Sequence, residues 1–256
     1  MEVTIIPMSK KVRVLVWDEN PSHRSMEIYP DSLRAAIAAG LTERDTEGEL
    51  EVTTACLDDE NQGITQEVLD HTDVLIWWGH ARHGEVNNEI ATMVKNQVHA
   101  KGMGFICLHS GHYSKTFKAV LNCTGHLFGG WREADDVETI QVCAPWHPIA
   151  KGVSSFVIEE EEMYGSPFDT PPPLTNIFQS HFSVGNESFP SGMTWTVGEG
   201  IDPDFTSGPG NGVNQGYGIG RVFYFRPGHE TYPTYFNADV RTVIYNGVRW
   251  TAKLTG

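Results

Sequence analysis

The chain has 256 residues, enough for an α/β domain that buries its own core without cross-links. Its composition is that of a globular protein, 39% apolar and 20% charged, and its formal net charge of −15 argues against nucleic acid or an anionic membrane surface as a partner. No run approaches the roughly 18 apolar residues of a membrane span, the opening MEVTIIPMSKKVRVLVW lacks the core of a signal peptide, and Cys56, Cys107, Cys123 and Cys143 show neither C-x-x-C nor zinc-ribbon spacing; free thiols in or beside apolar runs fit a reducing, cytoplasmic setting.

In chain order, KVRVLVWDE (11–19) is a continuous β-branched run, the pattern of a strand buried on both faces. A helix is expected over 30–39: Pro30 suits its first turn, Leu33 and Ile37 share a face, and Gly40 can end it. ELEVTTACL (49–57) and TDVLIWWGH (72–80) read as the second and third strands. The next stretch puts Val86, Ile90, Met93, Val94 and Val98 on one helical face, with Gly102 as its stop. GFICLH (104–109) is the fourth strand. Strands alternating with helices argue for right-handed βαβ units and a parallel sheet covered on both sides.

The second half changes texture. Residues 135–143, 154–164, 175–184 and 192–200 read as strands with few helices between them, and TPPPL (170–174) as a rigid turn. A glycine-rich loop is expected at 206–220, then a buried strand within GRVFYFRPGHE (220–230) and a closing helix from about 238 to 254. The late strand and final helix complete the first-half sheet, so residues 1–256 read as a single domain: a doubly wound, mainly parallel sheet with helices on both faces and an antiparallel extension from the 135–200 region.

In open α/β sheets, ligands bind beyond the carboxyl ends of the strands. The first strand is followed by Asp18, Glu19, Asn20 and His23, the third by His80, Arg82, His83 and Glu85, the fourth by His109, Ser110 and His112, and the late strand by Arg226, His229 and Glu230. Four strand ends thus aim titratable groups at one rim. Residues 104–115 have the layout of a nucleophile elbow, a strand running into a tight turn at Gly111 and then a helix through Phe117, Val120 and Leu121. Strand alternation puts Phe105, Cys107 and His109 on one side and Ile106 and Leu108 on the other. Cys107 then belongs to the core, and His109 or Ser110 holds the tip.

GFICLHSGH resembles the strand–elbow segment of class I glutamine amidotransferases, where a cysteine precedes x-Gly-x; with Gly111 aligned, His109 stands at the cysteine's place. GRVFYFRPGHE resembles their late strand bearing a His and a Glu, with different spacing. The closer resemblance is to the trehalose-utilisation (ThuA-like) family, carried in order by FICLHSGHY, GHLFGGW (125–131), WHPIAKGVSSFVIEEEEMYG (146–165), GRVFYFRPGHE and VIYNGVRWTA (243–252). That resemblance implies a flavodoxin-like sheet, a cytoplasmic protein and a role in disaccharide or keto-sugar catabolism. It does not imply amidotransferase chemistry, because that family lacks the Cys–His–Glu triad.

A histidine at an elbow ligates a metal through neutral imidazole or serves as general acid or base. Imidazole and carboxylate together suit Zn²⁺, Mn²⁺ or Fe²⁺. His80, His109 and His229, from separate strand ends, are the expected ligands of one ion, with Glu162 or Glu230 as an added ligand or base; the EEEE run (159–162) also reads as a solvated edge strand. His109, His229, Glu162 and Tyr164 are the catalytic candidates. His23, Ser110, His112, Trp131, His147 and Glu230 are the candidate substrate contacts, although His147, before a proline, equally suits a turn cap. Tryptophan faces suit the C–H faces of sugars, and a small-molecule sugar is the expected partner. A homo-oligomer is compatible with the sequence. GPGNG and GYGIG do not form a G-x-G-x-x-G between a strand and a helix, so no nucleotide cofactor is expected. The sequence leaves three readings open: a keto-sugar enzyme, a non-catalytic sugar-binding or regulatory module, and a residual amidase using Cys107 or Ser110.

Overall fold

A computed structural model describes residues 11–199 and 219–254. Most of the glycine-rich segment expected at 206–220 lies outside them.

The opening β-branched run forms strand β1 (Val12–Asp18), and its side chains alternate between two cores. Val12, Val14 and Val16 pack with helices α1 (Leu33–Arg44) and α5 (Ala238–Thr251). Leu15 and Trp17 pack on the other face with α2 (Gln66–Asp70), α3 (Asn88–Lys101) and α4 (Lys115–Leu121). Strands β2 (Leu50–Cys56), β3 (Val74–Trp78), β4 (Gly104–Leu108) and β9 (Gly220–Phe225) join β1 in parallel, in the order β2-β1-β3-β4-β9. Beyond β9 the sheet turns antiparallel through β8 (Glu187–Val197), β7 (Thr175–Phe182), β5 (Trp131–Val142) and β6 (Phe156–Tyr164), giving one mixed sheet of nine strands among the described residues.

Register positions the site. Asp18 pairs with Trp78, Trp78 with Leu108, and Leu108 with Phe225. These residues form one row, so the segments that follow them all leave the sheet at the same edge.

Several element boundaries differ from the sequence reading. Helix α1 begins after Pro30, where Ser32 Oγ accepts the Ala35 N–H (3.1 Å), and it runs through Gly40 to Arg44. Gly40 is not a stop: it lies against the Arg241 side chain, which an added Cβ would approach to 3.0 Å. Gly102 does cap α3, in the left-handed region at φ 72°. Helix α2 has too few residues to show a period. Strands β5 and β8 start at Trp131 and Glu187, ahead of the expected 135 and 192, because pairing with β6 and β7 draws polar segments into the sheet. Cys56 and Cys107 are buried as expected; Cys143 is exposed.

Candidate active site

The elbow is built locally. Strand β4 ends at Leu108, His109 opens a tight turn at φ 53°, and Ser114 Oγ caps α4 by accepting the Phe117 N–H (3.1 Å). A Cβ on Gly111 would lie 2.7 Å from Cys107 Sγ, so the turn folds back onto the strand only with glycine there. The left-handed backbone takes His109 out of the strand alternation. Its ring does not continue the Phe105–Cys107 row; it stacks on Trp78 (centroids 6.0 Å, 9°), which belongs to the α1/α5 core. The Tyr224 hydroxyl donates to the His109 carbonyl (2.9 Å), fixing the tip. Cys107 is fully buried, and burial holds its thiol well above the ordinary cysteine range, which rules out a ready thiolate.

Three strand ends bring their imidazoles together. Ring centroids lie 5.2 Å apart for His80 and His109, 5.1 Å for His80 and His229, and 5.4 Å for His109 and His229. Their Nε2 atoms stand 3.8, 3.3 and 3.5 Å from Glu162 Oε2, for His80, His109 and His229 respectively. Glu162 arrives from β6, so the antiparallel extension closes the site over the parallel rim. Each imidazole is held from behind. His109 Nδ1 faces the Arg226 carbonyl (3.3 Å), His80 Nδ1 faces Glu230 Oε1 (2.6 Å), and His229 Nδ1 faces the Thr231 hydroxyl (2.7 Å). His23 Nε2 contacts the same Glu230 oxygen from the half-exposed side.

Electrostatics separates the groups. Burial, then the charge of His80, lowers His109 to about 3; burial and the charge of His109 lower His229 to about 4. Both imidazoles are therefore neutral at pH 7. For His80, burial opposes the charged form, but the hydrogen bond and charge of Glu230 outweigh it and raise the group above ordinary imidazole. The same pairing overcomes burial at Glu230 and lowers it to about 2. Burial raises Glu162, against the pull of Tyr164 and the imidazoles. Burial and the Glu162 charge keep Tyr164 protonated; its hydroxyl lies 3.4 Å from His109 Nε2.

A cavity of about 280 Å³ opens beside the imidazoles, lined by His80, Ser110, Tyr113, Trp131, Glu133, Glu162 and Tyr164. Ser110 is buried at its base, where its hydroxyl donates to the Gly79 carbonyl (3.2 Å). Two expected contacts sit elsewhere. His112 is packed behind the site between Tyr113, Phe168 and Tyr224, with Nδ1 donating to the Gly125 carbonyl (2.7 Å). His147 lies against Trp250 and accepts the Ile149 N–H (3.2 Å); it caps a turn near the end of the sheet where β9 begins, far from the rim.

Sequence reasoning missed Tyr113, Glu133 and Glu161. Glu161 is fully buried and accepts the Gly228 and His229 N–H groups (2.8 and 3.0 Å) and the Thr234 hydroxyl (2.7 Å), so it anchors the loop carrying His229 and Glu230. Its place in a glutamate run hid it, and alternation from the buried Phe156 and Ile158 would have marked Glu160 instead; the register shift between the Glu138–Ile158 and Asp136–Glu161 pairs turns Glu161 inward.

The donor set fits a divalent transition metal. His80, His109, His229 and Glu230 each offer a ligand atom, all within 4.8 Å of one another. Glu162 Oε2 and Glu230 Oε2 are buried oxygens without a hydrogen-bond partner, the condition a bound cation relieves. Imidazoles backed by a carboxylate or a carbonyl are the usual outer support of such a site.

The sequence matches the family model for trehalose utilisation, ThuA, over residues 13–251. No curated protein matches. Among solved structures, a protein from Parabacteroides merdae described as ThuA-like is 13% identical, covers 96% of this chain and 91% of its own, and superposes with a TM-score of 0.60, a likeness of fold. A protein from Thermoplasma acidophilum described as part of a GMP synthase is 12% identical, covers 95% and 96%, and has a TM-score of 0.48, too low to carry an argument. The family match spans the rim, the elbow and the late strand alike, and the chain belongs to the ThuA trehalose-utilisation family.

Proposed function

We propose that the protein is a metal-assisted acid/base enzyme of carbohydrate catabolism, acting on a trehalose-like disaccharide or a keto-sugar derived from one. The observation that carries this reading is the convergence of three imidazole Nε2 atoms on the unpartnered Glu162 Oε2 at 3.3–3.8 Å. His80, His109, His229 and Glu230 would hold Zn²⁺, Mn²⁺ or Fe²⁺. A cation held there would supply Lewis acidity to a substrate carbonyl, which would acidify the neighbouring C–H.

The side chains divide the remaining work. Glu230 clamps His80 and His23 and turns the His80 Nε2 edge toward the cluster. Glu162, raised by burial and lining the cavity, is placed to take a proton from carbon. Tyr164, kept protonated beside it, is placed to donate to a developing oxyanion or a departing hydroxyl. Isomerisation, and elimination next to a ketone followed by hydration, both begin with these steps.

The flavodoxin-like, doubly wound reading of the fold belongs to this proposal and rests on the β2-β1-β3-β4-β9 order with helices on both faces. So does the cytoplasmic setting, supported by the four free cysteines. No helix among the described residues is long and apolar enough to cross a membrane.

Elemental analysis of purified protein tests the reading together with turnover of oxidised disaccharides. One equivalent of metal and turnover, both lost in His109→Ala, are expected. Metal-free protein whose sugar affinity survives His109→Ala would replace the enzyme with a binding module.

A further inference from the structure

We infer that the cavity recognises an uncharged, hydroxyl-rich ring through Trp131 and Glu133, and that it discriminates against phosphorylated sugars. The inference deepens the proposed function and rests on the same cavity.

The backbone around Glu133 is irregular in a way that aims it. Arg132 pairs with Met163 and Asp136 with Glu161, so Glu133, Ala134 and Asp135 all stand opposite Glu162 alone. A bulge of this kind redirects side chains out of the pleat. It is braced on both sides. Arg132 reaches Glu187 (2.6 Å) and Asp136 (2.8 Å), and Asp135, at φ 47°, accepts the Tyr232 hydroxyl (3.1 Å). Between these braces the Glu133 carboxylate is 45% exposed and reaches to 3.9 Å from His229 Nε2. Two residues earlier, Trp131 is 64% exposed at the cavity lip although its partner across the strands, Tyr164, is buried.

An exposed indole and a solvent-facing carboxylate two residues apart make a two-point grip. The indole face suits the C–H face of a pyranose, and the carboxylate accepts from adjacent hydroxyls. The cavity's charge sets what is refused. Among the described residues lining it there is no lysine or arginine. Arg132 is committed to its two carboxylates, and the nearby Lys118 lies over the outer Tyr113 ring, 5.5 Å from its centroid. With a divalent cation bound at the imidazoles, Glu162 and Glu230 would offset its charge, and Glu133 would leave the mouth acidic. A phosphate ester would meet that charge without the arginine fork that usually receives it. The substrate therefore enters the cavity unphosphorylated.

Calorimetry on the purified protein, with its metal as isolated, tests this. The probes are methyl α-glucoside, methyl α-galactoside and methyl α-mannoside, with glucose 6-phosphate as the charged counterpart. At least one neutral hexoside should bind in the millimolar range, and glucose 6-phosphate at least about tenfold more weakly. Glu133→Gln and Trp131→Ala should each weaken the neutral probe about tenfold at unchanged Tm, and Glu133→Gln should narrow the phosphate penalty. The inference is overturned if no hexoside binds at roughly 50 mM, if glucose 6-phosphate binds as well as the neutral probes, or if Glu133→Gln leaves affinity unchanged. Metal content separates the two readings. Metal-free protein with Glu133-dependent binding refutes the enzyme and keeps the grip; metal-loaded protein with Glu133-independent binding does the reverse.

Discussion

Gly111 shows how tightly single positions define the site. Its backbone sits against Cys107, and a Cβ there would come to 2.7 Å from the sulfur. Gly111→Ala should lower stability by about 1–3 kcal/mol in urea titrations, and Cys107→Ala in the same chain should restore part of the loss; a double variant no better than the single would show that strain lies elsewhere. Glu161 acts by position too. Burial and the nearby Glu138 raise it to about 8, but three donors face it in the loop bearing His229. Glu161→Gln turns an amide N–H₂ toward those donors and should cost about 1–3 kcal/mol and weaken metal retention in chelator competition. The histidines were legible in the sequence because each follows a strand. Glu133 was not, since its aim depends on a mismatch with β6 that only pairing reveals, and His109 turned away from the expected row because its backbone is left-handed.

At the scale of elements, the antiparallel extension completes the site. Strand β6 delivers Glu162 and Tyr164, and β5 delivers Trp131 and Glu133. Its anchor is Arg132, partly exposed, against the buried Asp136 and half-exposed Glu187. Arg132→Ala should cost only about 1 kcal/mol but loosen the bulge, lowering hexoside affinity more than stability; equal losses in both would make the pair merely structural. The sequence placed the start of this strand at 135 because WREAD (131–135) is too polar to read as a strand. It stays in the sheet because Arg132 and Asp136 pair across and along it. Similarly, Gly40 reads as a helix stop until the crossing of α1 with Arg241 of α5 is known.

Across the whole molecule, buried neutral histidines shape the acid limb of stability. His147 is lowered to about 4, by burial first and then by Arg221. Between that value and the ordinary 6.5 or so, the unfolded chain binds the proton and the folded chain does not. The contribution is thus complete above the unfolded value and lost as pH falls toward the folded one. His147→Asn keeps a cap acceptor and removes the titration, so from pH 7 to pH 5 the wild type should lose about 1–2 kcal/mol more than the variant; parallel curves would contradict this. The parallel half of the fold was legible because both its faces are buried, whereas the order of the antiparallel strands rests on long-range pairing that composition does not encode. Everything functional turns on the rim where β1, β3, β4 and β9 end in one row. The most direct measurement is anomalous diffraction from crystals of the protein grown with Zn²⁺ or Mn²⁺. A single peak bound by His80, His109 and His229 Nε2 is predicted; a well-ordered cluster with no peak there, or metal only at surface carboxylates, would contradict the account.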